Sequence, residues 1–238
     1  MNEVQVQKVA IVTGASQGIG AAIVAAYRKQ GWAVIANSRS MPQSDDRAVL
    51  TVSGDIADPA IAERIVHDGL EKFGRIDTLI NNAGLFIAKP FTEYTAADYA
   101  TVVGVNLTGF FTLTQRVIAP MLEDGGGHIV SITTTLVEHP NSAVPSVLAS
   151  LTKGGVSAAT KSLAIEYASR GIRVNAVSPG IIQTPMHAEE THEFLAGLHP
   201  VGHMGTVDDI VKGVVYLESS PFVTGEILHV DGGQSAGH

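Results

Sequence analysis

Short apolar runs alternate with longer amphipathic stretches along this chain of 238 residues, and the alternation predicts strands and helices in turn. The apolar runs are Val9-Ala10-Ile11-Val12, Trp32-Ala33-Val34-Ile35-Ala36, Val49 to Val52, Ile76 to Ile80, Gly127 to Ile132, Arg173 to Val177 and Ile227 to Val230. A first helix ends near Gly31. A second starts at Asp58-Pro59, an N-cap and first-position pair, and reaches about Phe73. Thr95-Ala96-Ala97-Asp98 has capping-box form and opens a long helix toward Leu122. Further helices are predicted from about Val144 to Ser169 and after Thr206-Val207-Asp208-Asp209. Only Met41 to Ala48 separates the second strand's loop from the third strand, which leaves no room for a full crossover helix. The pattern predicts an α/β protein with a doubly wound parallel sheet covered on both faces, as one domain over 1–238. Ligands of such sheets sit beyond the C-terminal strand ends.

The first strand runs into Thr13-Gly14-Ala15-Ser16-Gln17-Gly18-Ile19-Gly20, a glycine turn that opens the first helix. Glycine lets the backbone bend sharply and lets a ligand approach it, and a helix N-terminus offers free N–H groups to a pyrophosphate. The bland alternative is a tight strand-to-helix turn. The second strand runs into Asn37-Ser38-Arg39, where an acidic residue would bind ribose hydroxyls and repel a 2′-phosphate. Asn37 is neutral and Arg39 can fork onto a phosphate, which favours NADP(H) while leaving NAD(H) open. The alternative for Arg39 is a solvated loop arginine.

Composition narrows the classes. Hydrophobic residues make up 45%, which fits a packed globular chain, and a formal charge of −8 with no basic stripe argues against nucleic acid as a partner. The absence of cysteine removes disulfides, thiolate catalysis and cysteine-ligated zinc. Met1 to Lys8 lacks the apolar segment of a signal peptide, and Asn106, Gln115 and Arg116 interrupt the window from Val102 to Leu122. A cytoplasmic protein without a membrane span is expected.

With these residues in place the chain resembles the short-chain dehydrogenase/reductase family over nearly its whole length. The resemblance rests on Thr13 to Gly20, Asp55, Asn81-Asn82-Ala83-Gly84, Asn106, Lys153, Pro179-Gly180 and Asp231-Gly232-Gly233. It implies a Rossmann-like three-layer fold and hydride transfer between a nicotinamide cofactor and a small carbonyl or alcohol. Gly14, Ser16, Gln17, Gly18, Ile19 and Gly20 would hold the dinucleotide with Asn37, Ser38 and Arg39. Asp55 and Ile56 would flank the adenine, and Asn82, Ala83 and Gly84 would line the dinucleotide. Pro179, Gly180, Ile182 and Thr184 would face the nicotinamide, and Lys153 would bind its ribose. A homotetramer or homodimer is implied, with the segment from Val223 to Gly233 near a subunit interface.

The family's proton donor is a tyrosine one helical turn before the lysine, and this chain has Ala149 there. Thr134 stands best for the family's serine, and Asn106 for its assisting asparagine, so the expected catalytic set is Lys153, Thr134 and Asn106. Asn106 is a poor helix former inside a long helix, which fits a functional kink or a polar surface position. Replacement donors near the gap are His139, Ser142, Ser146, Ser150 and Lys153 itself.

The stretch 184–205 mixes His187, His192, His199 and His203 with Glu189, Glu190 and Glu193. His187 and His192 are off a common helix face and Pro200 separates the other two, so a substrate-covering lid is expected here and no metal. The leading reading is an NADP(H)-preferring oxidoreductase with an unusual proton donor. Two alternatives remain open: a dinucleotide-binding sensor or scaffold, and a lyase or isomerase using Lys153 and His139.

Overall fold

The computed structural model describes residues 7–237; the Met1–Lys8 reading lies outside them up to residue 6. Seven parallel strands form one sheet in the order β3-β2-β1-β4-β5-β6-β7. They are β1 (Val9–Thr13), β2 (Ala33–Ser38), β3 (Val49–Ser53), β4 (Thr78–Asn81), β5 (Gly127–Ile132), β6 (Ile172–Pro179) and β7 (Ile227–Val230). Successive strand residues point to opposite faces, so each apolar run feeds two cores. Val9, Ile11 and Ile35 pack with helices α2 (Pro59–Phe73), α4 (Gly109–Glu123) and α5 (Val147–Tyr167) through Ile65, Leu113, Val117 and Ala164. Ala10, Val12 and Val34 pack on the other face with α1 (Gly18–Lys29) and α7 (Val207–Ser219) through Ile23, Tyr27, Ile210 and Val214. This is the doubly wound three-layer fold that the alternation predicted.

Some boundaries move. The fourth strand begins two residues later than the apolar run, because Asp77 turns back to accept hydrogen bonds from Arg75 and from Val9 N–H. The helix expected over Val144–Ser169 is α5, shorter at both ends, followed by a 3₁₀ turn at Ala168–Arg170. No helix joins β2 to β3, and Arg28 instead pins the connection through Asp46 at 2.8 Å.

The long helix is broken. Thr95 caps α3 (Ala96–Val103) with a capping box, a π-turn occupies Gly104–Thr108, and α4 continues to Glu123. Asn106 sits inside the π-turn. By length and composition Ala96–Glu123 would suffice to cross a membrane. Here Val102, Leu113, Val117 and Met121 are fully buried among the described residues.

Parallel strands bring their C-terminal ends to one edge, and the order reverses between β1 and β4. The crevice at that switch point is where a ligand enters.

Candidate active site

The crevice is a cleft of about 800 Å³. One end is the turn after β1. Gly14 (φ 64°) and Gly18 (φ 54°) hold left-handed backbone, where a side chain is strained. A Cβ on Gly14 would lie 2.8 Å from Asn82 Nδ2, and one on Gly20 would run into the Gly14 carbonyl. Gly20 is therefore behind the turn rather than on the cleft wall, whereas Gly14, Ser16, Gln17, Gly18 and Ile19 line it. No side chain caps the N-terminus of α1 and no acidic residue occupies its first turn. Its N–H groups and positive dipole end stay available to an anion.

Thr13 locks this turn to the end of β4. Its hydroxyl accepts from Asn82 N–H (3.1 Å) and Ala83 N–H (2.9 Å). Asn82 Nδ2 donates back to Thr13 O at 2.9 Å. Asn82, Ala83 and Gly84 form the next stretch of wall.

At the opposite rim Ser38, Arg39, Asp55 and Ile56 line the cleft. Asn37 also borders it, but its amide is committed to the fold, donating to Val52 O (2.9 Å) and Gly54 O (3.2 Å). Ser16 and Ser38 hydroxyls meet at 2.9 Å across the entry, and Arg39 is exposed beside them.

The other end gathers Thr134, Ala149, Lys153, Pro179, Gly180, Ile182 and Thr184. Lys153 Nζ donates to Ile132 O at 2.7 Å, and burial of its ammonium lowers its pKa from 10.5 to about 8. Thr134 Oγ1 accepts a long bond from Leu136 N–H (3.4 Å), which leaves its O–H free to donate. Ala149 lies one turn before Lys153 on the same helix face, buried at 3% exposure, and contributes only a methyl group.

Asn106 is not on this wall. Its Oδ1 accepts from Leu85 N–H (2.8 Å), and its Nδ2 donates to Leu85 O (3.0 Å) and Thr152 Oγ1 (3.0 Å). The π-turn aims the amide at the loop after β4, where it holds the wall from behind. His139 is exposed, Ser146 is buried, and Ser150 donates to Leu136 O at 2.9 Å; with Ser142 they lie outside the cleft lining.

Residues 184–195 cover the cleft with Pro185, Met186, His187, Phe194 and Leu195. A short helix α6 (His192–Ala196) carries the last two. The histidines of this stretch are bonded to its own backbone. His187 Nδ1 donates to Ile182 O (2.9 Å), and burial lowers its pKa below 6.5. His199 Nδ1 donates to Leu195 O (3.0 Å) while Nε2 accepts from Ile181 N–H (2.9 Å).

The sequence pattern missed Val144 and Gln234 on the wall, whereas His187 enters it from the expected lid and Leu85 and Phe86 from the apolar loop after β4. Gln234 comes from beyond the last strand, with Oε1 accepting from Thr135 Oγ1 at 2.7 Å. No periodic or motif signal marks it.

A glycine bend at the switch point, with a lysine and a hydroxyl at the far end, sets the frame for comparison. A family model described as enoyl-(acyl carrier protein) reductase matches residues 14–235. The chain belongs to the short-chain dehydrogenase/reductase family. It is 35% identical to the (2S)-[(R)-hydroxy(phenyl)methyl]succinyl-CoA dehydrogenase subunit BbsD of Thauera aromatica, over 96% of each chain. A 3-ketoacyl-(acyl-carrier-protein) reductase from Brucella melitensis, solved with NADH, superposes with a TM-score of 0.87 at 30% identity, covering 96% of this chain and 98% of that one. ElxO with NADP bound gives 0.89 at 28% identity, covering 97% and 100%. As a short-chain dehydrogenase/reductase the protein is an NAD(P)-dependent oxidoreductase.

Proposed function

We propose that this short-chain dehydrogenase/reductase prefers NADP(H) and acts on a small carbonyl or alcohol, with Ala149 at the position of the usual tyrosine. The observation that carries the reading is the shared wall. Lys153, Thr134 and Ala149 border one cleft with the glycine bend of Gly14 to Ile19. The residues fit a dinucleotide. Gly14 has no room for a Cβ against Asn82 and Ala83, which keeps the bend close to the end of β4, and the uncapped start of α1 suits a diphosphate. When bound, the nicotinamide supplies or accepts a hydride. Ser16, Gln17, Gly18 and Ile19 would hold the diphosphate, with Gly20 keeping the bend tight. Ser38 and Arg39 would receive the 2′-phosphate, with Asn37 fixing that edge, and Asp55 and Ile56 the adenine. Asn82, Ala83, Gly84, Pro179, Gly180, Ile182 and Thr184 would line the nicotinamide half, and Lys153 would meet the ribose.

Thr134 would donate a hydrogen bond to the substrate oxygen and so polarise the carbonyl, and Asn106 would act as a positioning residue through Leu85. The segment 184–205 would serve as the lid over an apolar substrate. A homotetramer or homodimer in the cytoplasm completes the proposal.

Fluorescence titration with NADPH and NADH, followed by assay of a carbonyl and alcohol panel in both directions, tests it. Tighter NADPH binding with turnover of at least one panel member is expected. Ala149 also favours a second reading, a dinucleotide-binding sensor or scaffold. That reading requires tight cofactor binding, no turnover, and no gain in Ala149→Tyr.

A further inference from the structure

We propose that Lys153 itself is the general acid of the reduction, giving its Nζ proton directly to the substrate oxygen. This rests on the proposed carbonyl chemistry and assigns the step that the missing tyrosine leaves open.

The argument is one of elimination within the cleft. Four ionisable side chains line it among the described residues: Arg39, Asp55, Lys153 and His187. Arg39 and Asp55 border the far rim with Ser38 and Gly54. His187 has its one proton on Nδ1, committed to the Ile182 carbonyl, and burial keeps the ring neutral; its Nε2 is an acceptor. The hydroxyls of Thr133 and Thr134 are too weakly acidic to transfer a proton unaided, and Thr133 already donates to Val177 O at 3.1 Å.

Lys153 differs from all of these. Its ammonium has three N–H donors, and the fold uses one of them, on Ile132 O at 2.7 Å. No carboxylate pairs with it among the described residues; its ammonium lies against Gly84, with the Asn106 amide oxygen nearby, and against the Ile132 carbonyl. A tyrosine at 149 would stand one turn above the lysine on the same helix face. With alanine there, nothing from that position intervenes. A buried lysine titrating near 8 matches the requirement that a general acid sit close to the working pH.

Lys153 also touches a second space, at the inner end of the cleft. It is the one ionisable residue bordering both the cleft and a small inner cavity of about 10 Å³, room for about one water, beside Thr13, Asn81 and Asn106.

The step balances. Hydride released from the C–H bond of a bound reduced nicotinamide would form the new C–H bond, and the carbonyl electron pair would pass to the substrate oxygen. An Nζ–H bond breaks as the O–H bond forms, the alcohol leaves neutral, and the resulting amine is reprotonated from solvent.

Two measurements test this. In the first, the wild-type kcat/KM for carbonyl reduction is expected to fall above about pH 8. Lys153→Arg keeps the charge and the donors but cannot release a proton near neutrality. It should bind NADPH within about fivefold of wild type yet lose about 100-fold or more in kcat, with a flat profile from pH 7 to 9. A Lys153→Arg enzyme retaining its kcat and the wild-type pH break would overturn the assignment. The second measurement needs no turnover: NMR titration of Lys153, assigned by its loss in Lys153→Arg, in the NADP+ complex. A midpoint between about 7 and 9 is expected, and one above 10 rejects the proposal. Loss of NADPH binding by the wild type would instead overturn the cofactor reading.

Discussion

Asn106 clasps both polar groups of one backbone residue, accepting from Leu85 N–H at 2.8 Å and donating to Leu85 O at 3.0 Å. The side chain is 2% exposed, so water cannot take over either bond if it is removed. Asn106→Leu should lower folding stability by about 2–4 kcal/mol, measured by urea denaturation, since two or more groups are left unsatisfied at about 1–3 kcal/mol each. Because Leu85 and Phe86 belong to the cleft wall, KM should rise more than kcat falls. A rise in KM alone, without loss of stability, would contradict the clasp.

Gly20 faces the carbonyl of Gly14 with no room for a methyl group. The obstacle is backbone, which cannot rotate away as a flexible side chain would. Gly20→Ala should cost about 1–3 kcal/mol in stability. It should also weaken NADPH binding at least about tenfold by opening the bend, read by fluorescence titration.

Arg39 is exposed at the rim beside Ser16 and Ser38. Arg39→Ser should weaken NADPH by about 10- to 100-fold, the worth of a charge-assisted pair at about 1.5–3 kcal/mol. Binding of NADH should stay within about threefold. Equal losses for both cofactors would remove the basis for an NADP(H) preference.

Acid sensitivity has its own origin. His128 is 2% exposed at the foot of β5, with Nδ1 donating to Glu218 at 3.0 Å and Nε2 accepting from Asn175 at 3.1 Å. Burial lowers its pKa below 6.5, so the folded state keeps the ring neutral while the unfolded chain takes up a proton. Stability from this group is complete above about pH 6.5 and falls as the pH drops below it. Burial would raise Glu218, but hydrogen bonds from His128, Tyr27 and Thr78 outweigh it and hold the carboxyl below 4.5. A second loss therefore follows once the pH falls below 4.5. Urea denaturation from pH 8 to 4 should show both limbs, and His128→Gln should flatten the first.

Much of this was legible because apolar runs, caps and glycines act locally. Val9 to Val12 reads as a buried strand whatever surrounds it, and the capping boxes at Thr95 and Thr206 formed where the residues dictate. Asn106 was legible as a kink in a long helix and as the family's assisting asparagine. That it breaks the helix into a π-turn and reaches Leu85 depends on a loop 21 residues earlier in the chain. Asn37 reads as a ribose neighbour, yet its amide is spent on Val52 and Gly54, a partnership set by the β2–β3 register. Gln234 reaches the cleft from a segment with no regular pattern, and only tertiary packing brings it there. His199 reads as a member of a histidine cluster; in the fold each ring nitrogen has a backbone partner.

The polar group around Glu218 and the cleft occupy opposite edges of the same sheet. Thr78, His128 and Arg173 stand side by side in register where the strands begin, while Asn82 and Thr133 follow their ends. The acidic and basic flanks of any activity curve are thus governed at different poles of the molecule. Failure at low pH reports melting at the foot of the strands and recovers only with refolding. Decline at high pH reports deprotonation at the mouth and reverses as soon as the buffer is changed.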